Sequence, residues 1–206
     1  VPAGDEADAW LVPAHTPNGI HLFLVERDAP GVEVTGYPTH DGARAAELRF
    51  AAVPAMLVAE EGVAQLERGV DIGIAAACAE GVGLMDKLLA LTADYLNTRK
   101  QFGVPIASFQ ALRHRIADAK MQLELGRSMS YYATLKLGEP ADGRRRALSQ
   151  AKVQLGQSMR YVGQQCIQMH GGIGVTDEYI GSHYFKRLTL LETTFGDTLH
   201  HLGEVS

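Results

Sequence analysis

The spacing of apolar residues changes once along this chain, near Gly62. Before that glycine, short runs typical of β-strands alternate with turn signals, whereas after it the apolar residues recur at the 3.6-residue spacing of amphipathic helices. Strands and helices present their apolar faces with different periods, so the change indicates a domain boundary. It predicts an α+β fold, with an antiparallel β domain over residues 1–61 and an all-α four-helix bundle over residues 62–206.

The β domain carries five predicted strands. The strand-like runs lie at residues 10–14, 20–26, 32–37, 45–50 and 55–59, and turn signals lie at residues 17–19, 29–31 and 40–42. So few strands normally need further strands or a helical layer over their apolar face. The chain also begins at Val1, without an initiator methionine, and enters strand-like sequence almost at once. We therefore expect residues 1–61 to be the remainder of a larger β domain.

Four long helical segments follow, and we expect them to form a bundle. They lie at residues 63–98, 107–137, 142–170 and 182–202. Gly103 and Pro105 interrupt the pattern after the first segment. Ser108 could cap the second segment, because a serine hydroxyl can accept a hydrogen bond from an unpaired amide in the first turn of a helix.

Composition narrows the classes of function. The 206 residues are 46% apolar and include 19 basic and 24 acidic residues, which gives a formal net charge of -5. This balance creates no general cationic field, so we expect neither nucleic acid nor a membrane as a partner. The histidines show no Glu-x-x-His spacing on two helices, and we expect no metal site. Cys78 and Cys166 lie in apolar helical patterns, which predicts buried free thiols in a cytoplasmic protein.

Two short motifs predict a ligand site. The first is RKQFG at residues 99–103, followed by Phe109 and Gln110, and the second is QMHGGIG at residues 168–174. The periodicity puts the first motif at a helix end and its exit turn, and the second at a helix end that opens into a glycine loop. Either motif alone could be a helix cap or a solvated arginine. Together they offer one cation, two amides and exposed backbone, which suits a pyrophosphate and an adenosine.

Three segments of the chain resemble the acyl-CoA dehydrogenase family. They are YLNTRKQFGVPIASFQ at residues 95–110, QMHGGIG at residues 168–174 and HYFKRL at residues 183–188. Within that family, the segments look more specifically like the small subunit of pimeloyl-CoA dehydrogenase and related bacterial heteromeric enzymes. It implies that the chain corresponds to the end of the family's middle β domain and to its whole C-terminal four-helix domain, without the N-terminal helical domain.

The resemblance also implies that the two motifs bind FAD across a subunit interface. In the family, the arginine motif, the following glutamine and the Q-x-x-G-G segment hold the adenosine diphosphate part of a neighbour's FAD. A threonine and a glutamine near the C-terminus add further contacts. Thr198 fits that pattern, whereas His200 departs from the usual glutamine. The implied cofactor-binding residues are Arg99, Gln101, Phe102, Gln110, Gln168, Met169, His170, Gly171, Gly172 and Thr198.

The reaction that the resemblance implies is the α,β-dehydrogenation of an acyl-CoA thioester. A carboxylate removes the α proton directly, in a site that excludes water, while the β hydrogen leaves as hydride to the flavin. The family places that glutamate at one of two positions, which are Gly73 and Gly196 here. Glycine has no side chain that could act as a base, so we predict no catalytic residue in this chain.

Three carboxylates lie near these positions and could replace the missing base or contact the substrate. Asp197 follows Gly196, but on a helix it would point about 100° away and its side chain is short. Glu192 would share the face of Gly196, one helical turn earlier. Asp71 matches a family position near the substrate, although Ile74 replaces its usual arginine companion, and it could equally be a solvated carboxylate in a first helical turn.

The sequence therefore predicts a subunit of a FAD-dependent acyl-CoA dehydrogenase, an oxidoreductase acting on CH-CH bonds. We expect it to contribute FAD-binding residues within a tetramer, the catalytic subunit supplying the base and most of the acyl-CoA site. Fatty-acid or sterol side-chain degradation is the expected setting. Two alternatives stay open: a self-sufficient dehydrogenase using Asp197 or Glu192, and a helical assembly module without enzymatic activity.

Overall fold

The structure is a computed structural model that describes all 206 residues. The chain divides into two compact units, Val1–Val70 and Asp71–Ser206. Strands give way to helix at Gly62, where the 37-residue helix α1 (Gly62–Thr98) begins. The sequence-based division at residues 61 and 62 coincides with this change of secondary structure, whereas the division between the two compact units falls inside α1.

The first unit is built from antiparallel strands, as predicted. The strands are β1 (Ala9–Thr16), β2 (Gly19–Glu26), β3 (Val32–Pro38), β4 (Arg44–Phe50) and β5 (Met56–Ala59). They form two sheets, one with the order β1-β2-β5 and one that pairs β3 with β4. Gly19 closes the β1-β2 turn with a φ of 127°, a region that glycine occupies without strain. The five predicted strands are confirmed within a few residues at each end.

The second unit is helical. After α1 come the hairpin strands β6 (Lys100–Gln101) and β7 (Val104–Pro105), a 3₁₀ turn at Ile106–Ser108, α2 (Gln110–Lys136), α3 (Ala141–His170), a 3₁₀ segment at Gly171–Val175, α4 (Ile180–Thr193) and α5 (Thr198–Val205). The first three predicted helices are confirmed. No helix combines the length and the apolar character needed to cross a bilayer.

Two sequence-based expectations about helix ends are wrong. The predicted helix over residues 182–202 is two helices, because Phe195 and Gly196 have positive φ values of 59° and 100° and cannot continue an α-helix. Ser108 does not cap α2. Its hydroxyl donates to the Pro105 carbonyl at 2.8 Å, and Phe109 is the N-cap residue without a side-chain hydrogen bond.

The core of the helical unit is centred on α3. Fully buried side chains along this helix include Leu148, Leu155, Met159 and Val162. Small residues let neighbouring helices approach, since a Cβ added to Gly126 of α2 would lie 3.2 Å from the Met85 methyl carbon. Such close packing is the main source of stability in a helical unit.

Both cysteines are buried free thiols, as predicted. Burial raises the pKa of Cys78 and of Cys166 to about 11 in each case. A thiol with such a pKa holds almost no thiolate at neutral pH, and neither cysteine is placed to act as a nucleophile.

Candidate functional site

The first motif forms a tight β-hairpin directly after α1. Phe102 and Gly103 are the two loop residues between β6 and β7, and their φ values of 52° and 80° give the doubly positive turn that suits a two-residue hairpin. Glycine adopts this conformation freely, but phenylalanine does so at a cost. The Phe102 side chain is nevertheless 90% exposed, and its ring meets only the edge of Phe109, with centroids 6.1 Å apart. A strained, exposed aromatic ring is typical of a binding surface.

The polar groups of the first motif are unpaired. Arg99, Gln101 and Gln110 are all exposed, and no hydrogen bond or ion pair within the chain uses their side chains. The main chain around them is ordered, because the Arg99 amide donates to the Tyr95 carbonyl at 2.8 Å and the Arg99 carbonyl accepts from Ile106 at 2.8 Å. The hairpin therefore presents one cation and two amides on a fixed backbone.

The second motif is the C-terminus of α3 and its exit turn, as predicted. Gly171 ends the helix with a φ of 67°, and its amide donates to the carbonyls of Ile167 and Gln168. A Cβ on Gly171 or Gly172 would meet nothing within 4 Å, so both residues expose their backbone. Gln168 is exposed beside them and its side chain makes no hydrogen bond within the chain.

Three aromatic rings pack together beneath the second motif, and we call Tyr95, His170 and Tyr179 the three-ring cluster. The His170 ring lies 4.5 Å from the Tyr95 ring and 4.6 Å from the Tyr179 ring. Its Nδ1 donates to the Cys166 carbonyl at 2.7 Å, and its Nε2 accepts from the Tyr179 hydroxyl at 2.5 Å. Both ring nitrogens are therefore used inside the protein, and burial lowers the pKa of His170.

The structure separates the predicted cofactor-binding residues into two groups. Arg99, Gln101, Phe102, Gln110, Gln168, Gly171 and Gly172 are exposed, and we call these seven residues the clamp. Met169 and His170 are only 5% and 3% exposed, so their side chains belong to the core. Any contact that these two residues make to a ligand would come from their backbone.

Thr198 lies half-buried at the start of α5. Its hydroxyl donates to Glu192 Oε1 at 2.7 Å, and its amide donates to the same oxygen at 3.2 Å. Arg160 approaches this oxygen at 3.4 Å. The absence of a Cβ on Gly156 gives the Thr198 hydroxyl room against α3. Glu192 is thus a buried carboxylate that anchors α5, and Thr198 is one of its donors.

A buried lysine holds the turn between α4 and α5. Lys152 is 1% exposed, and its ammonium donates to the carbonyls of Leu191, Glu192 and Gly196 at 3.0, 2.8 and 2.9 Å. Two of these carbonyls belong to the last turn of α4, where the helix itself offers no donor. Burial lowers the pKa of Lys152, and the nearby Cys78 is the first of the groups that oppose this shift.

In the turn between α4 and α5, Phe195 packs against Gly73. Gly73 and Gly196 are the two positions at which the family resemblance implies the catalytic glutamate. A Cβ on Gly73 would lie 2.6 Å from Phe195 Cζ, which is closer than carbon atoms approach. A Cβ on Gly196 would collide with the His200 ring and lie 3.0 Å from His201 Nε2. His201 also donates from that nitrogen to the Phe195 carbonyl at 3.0 Å. A side chain at either position would therefore require the Phe195 ring or the His200 ring to move.

Asp197 is the N-cap of α5 and does not follow Gly196 along a helix. Its carboxylate accepts from the His200 amide at 2.8 Å. The prediction of one continuous helix through Glu192, Gly196 and Asp197 is therefore wrong. The physical reason is the Lys152 contact with Gly196, which favours a turn at that point.

Asp71 is buried in an ion pair with Arg144. The Arg144 Nε lies 2.6 Å from Asp71 Oδ2, and the two side chains are 11% and 5% exposed. The expectation of a solvated carboxylate is wrong, because an arginine from the first turn of α3 replaces the missing companion at Ile74. The predicted substrate contact of Asp71 stays a prediction.

The structural roles of four residues are not predicted from the sequence: Lys152, Phe195, Arg144 and Tyr95. For Lys152 the sequence does contain a signal, because lysine is almost never fully buried without partners and this one lies within the apolar face of a long helix. Arg144 was visible only as part of an Arg-Arg-Arg run that opposes the helix dipole. Phe195 and Tyr95 left no local signal.

The comparisons with known proteins agree with this architecture. The acyl-CoA dehydrogenase C-terminal domain family matches residues 60–204. The chain is 27% identical to acyl-CoA dehydrogenase FadE27 of Mycobacterium tuberculosis over 216 residues, which covers 98% of this chain and 56% of the relative.

Two solved structures are similar over the whole chain. One is the Tcur3481-Tcur3483 steroid ACAD G363A variant, with a TM-score of 0.90 and 32% identity. The other is the ChsE4-ChsE5 complex of Mycobacterium tuberculosis, with a TM-score of 0.89 and 28% identity. Each covers 100% of this chain, and this chain covers 56% of each.

The part of the chain that matches the acyl-CoA dehydrogenase C-terminal domain therefore includes the whole helical bundle, with its arginine hairpin and its glycine corner. The chain belongs to the acyl-CoA dehydrogenase family. It spans about half the length of the relatives that it matches.

The contact between Phe195 and Gly73 predicts that the effect of Gly73→Ala on the free energy of unfolding changes sign when the Phe195 ring is removed. We expect Gly73→Ala to lower the free energy of unfolding by about 1–3 kcal/mol, because the new methyl group overpacks against the ring. In a Phe195→Ala background, the same change should raise it by up to ~1 kcal/mol, because alanine favours helix over glycine. Urea unfolding of the four proteins measures the cycle.

The matched control for this cycle is Gly83→Ala, on the same helix, where a Cβ meets nothing within 4 Å. It should stabilise the protein in both backgrounds. A Gly73→Ala effect that is independent of Phe195 would contradict the contact.

Lys152 offers a second test of the turn. We expect Lys152→Met to lower the free energy of unfolding by about 2–5 kcal/mol, because three buried carbonyls lose a charged donor. Lys120→Met is the control, since Lys120 makes only exposed ion pairs and should change stability by less than about 1 kcal/mol. A small effect of Lys152→Met in thermal and urea unfolding would show that the turn does not depend on this ammonium.

The two buried histidines predict a loss of stability in acid. Burial lowers the pKa of His170 and of His201 in the folded state, below the value of about 6.5 in the unfolded chain. As pH falls through 6.5, the unfolded chain binds protons that the folded chain excludes, so the free energy of unfolding decreases.

The His201→Gln variant should be less stable at neutral pH but should lose less stability than the parent chain between pH 7.5 and pH 5.5. His114→Gln is the control, because this histidine is exposed and makes no hydrogen bond. If the free energy of unfolding falls with pH equally in the parent chain and in His201→Gln, the lowered pKa of His201 is contradicted.

Proposed function

We propose that this chain is part of a subunit of a FAD-dependent acyl-CoA dehydrogenase, and that it binds the dinucleotide part of FAD but does not supply the catalytic base. The observation that carries the proposal is a contrast between two places in the helical unit. The polar side chains of the clamp are exposed and unpaired, whereas Phe195 and the His200-His201 pair fill the space beside Gly73 and Gly196. One half of the site is therefore open and the other half is closed.

The residues of the clamp fit a nucleoside diphosphate. Arg99 can form two parallel hydrogen bonds to phosphate oxygens, and a guanidinium keeps its charge at any physiological pH. The side-chain amides of Gln110 and Gln168 both donate and accept, as contacts to an adenosine require. Gly171 and Gly172 allow close approach of backbone amides to the pyrophosphate. FAD would supply the hydride acceptor of the reaction when bound.

The residues of this chain do not offer a base for the α proton. Glu192 Oε1 already accepts from Thr198 and Arg160, and the Asp197 carboxylate caps α5. A base must reach its proton directly in a plausible substrate position, and both groups are turned to other donors. Asp71 is held by Arg144 and keeps only a proposed role beside the substrate.

A missing base implies a partner that has one. We propose a tetramer in which a catalytic acyl-CoA dehydrogenase subunit contributes the glutamate and most of the acyl-CoA site, and in which this chain completes the FAD site across the interface. The ChsE4-ChsE5 relative was solved as a complex of two proteins, which supports such a heteromeric assembly. The steroid ACAD relative supports sterol side chains, beside linear fatty acyl groups, as candidate substrates.

We propose a cytoplasmic location for this assembly. The argument rests on Cys78 and Cys166, which are both buried and unpaired. Free thiols without a disulfide partner are typical of proteins from a reducing compartment.

The function is tested by flavin content in the assembly of the full-length protein with its catalytic subunit. We expect Arg99→Met to weaken FAD binding by about 10- to 100-fold, because a charge-assisted contact to phosphate is lost. Absorbance near the flavin maximum and native mass spectrometry give the flavin count and the stoichiometry together. Arg127→Met is the control, since Arg127 makes ion pairs to Asp86 and Glu124 outside the clamp.

The same assembly decides between the proposal and its alternatives. Asp197→Asn and Glu192→Gln should leave flavin reduction by acyl-CoA unchanged wherever the assembly stays folded. Loss of flavin reduction with FAD retained in either variant would favour a self-sufficient enzyme. Absence of flavin from every oligomer of the full-length protein would favour a helical assembly module.

A further inference from the structure

The two halves of the clamp are joined inside the chain by one side chain. Tyr95 lies in the last turn of α1, four residues before Arg99, and its hydroxyl donates to the His170 carbonyl at 3.3 Å. His170 is the last residue of α3 and directly precedes Gly171. A single tyrosine therefore connects the helix that leads into the arginine hairpin to the helix that ends at the glycine corner.

The three-ring cluster makes this connection rigid. Tyr95 packs its ring on the His170 imidazole, and Tyr179 holds the opposite ring nitrogen from the residue that precedes α4. Each polar atom of the imidazole has a partner, and the ring is 3% exposed. A buried, fully satisfied network of this kind fixes one arrangement of the elements that contribute to it.

We propose that Tyr95 is a positioning residue, which sets the spacing between the arginine half and the glycine half of the clamp for a nucleoside diphosphate. The proposal rests on the function proposed above and adds a residue that touches no ligand. The His170 carbonyl lies where α3 ends and the 3₁₀ segment Gly171–Val175 begins, since His170 is the N-cap residue of that segment. The Tyr95 hydroxyl donates to this carbonyl from α1, the helix that leads directly into Arg99.

Pre-organisation is the physical reason for such a link. A diphosphate that contacts both halves must hold them at one separation, and any freedom between them is lost on binding at a cost in affinity. A hydroxyl that already fixes the separation removes part of that cost. Removing the hydroxyl should therefore weaken binding without removing a ligand contact.

The test uses ADP as the probe and the FAD-free assembly of the full-length protein with its catalytic subunit, with binding followed by the backbone amide signals of Gly171 and Gly172 and the side-chain Nε signal of Arg99. We expect Tyr95→Phe to raise the Kd for ADP by about 3- to 10-fold, in proportion to one hydrogen bond. The response of the two glycine amides should shrink, while the Arg99 signal still responds. Tyr179→Phe is the second variant and should act in the same direction, because it frees the His170 ring.

The matched control is Tyr132→Phe. Tyr132 also joins two helices through its hydroxyl, which donates to Gln150 at 3.4 Å, but this contact lies outside the clamp. We expect it to change thermal stability by as much as Tyr95→Phe does and to leave the Kd for ADP unchanged. This comparison separates positioning from a general effect on the fold.

The outcomes distinguish the inference from the function on which it rests. Absence of any ADP response in the unsubstituted assembly would overturn the clamp itself and the inference with it. A normal response in the unsubstituted assembly, with the Kd and the glycine signals unchanged in Tyr95→Phe and Tyr179→Phe, would overturn the inference alone.

Discussion

The ammonium group of Lys152 is the contact on which the arrangement of the helical unit depends. It is buried, and it donates to three carbonyls that the end of α4 and the following turn leave without partners. Burying a charge is expensive unless every proton finds an acceptor, and here each of the three does. The same contact bends the chain at Gly196, starts α5 at Thr198 and turns Phe195 towards Gly73. The lysine that stabilises the end of α4 thus also favours the turn that brings Phe195 onto Gly73.

The clamp and the region around Gly73 and Gly196 meet opposite physical requirements. The clamp keeps a guanidinium and several amides free of intramolecular partners, which costs little because water solvates them until a ligand arrives. The region around Gly73 and Gly196 does the reverse, since aromatic and imidazole rings occupy the space that a side chain would need. A binding surface has to remain available, whereas an unused cavity would weaken the fold. If the proposed subunit role is correct, rings that fill the space beside Gly73 and Gly196 are what packing requires where no side chain is used.

Local patterns predicted most of the fold, and contacts between distant residues account for what they missed. The five strands followed from alternating apolar residues and turn signals, and the ends of α1 and α3 from Gly103 and Gly171. The break between α4 and α5 did not, because Lys152, which favours it, lies 44 residues before Gly196. The clamp motifs could be recognised as residue types at helix ends. The cluster beneath them could not, since Tyr95 and His170 are 75 residues apart and each has an ordinary place in an amphipathic helix. His170 could be assigned to the motif but not to the core.

Two phenylalanines with positive φ show how the same backbone strain can serve different purposes. Phe102 and Phe195 have φ values of 52° and 59°, a conformation that costs a bulky residue of the order of 1 kcal/mol. For Phe195 the cost is offset within the chain by its packing on Gly73 and by the His201 hydrogen bond to its carbonyl. The Phe102 ring is 90% exposed and meets the edge of Phe109, so far less of its cost is offset by packing. Strain that the fold itself offsets indicates a packing role, whereas strain at an exposed ring is typical of a binding surface.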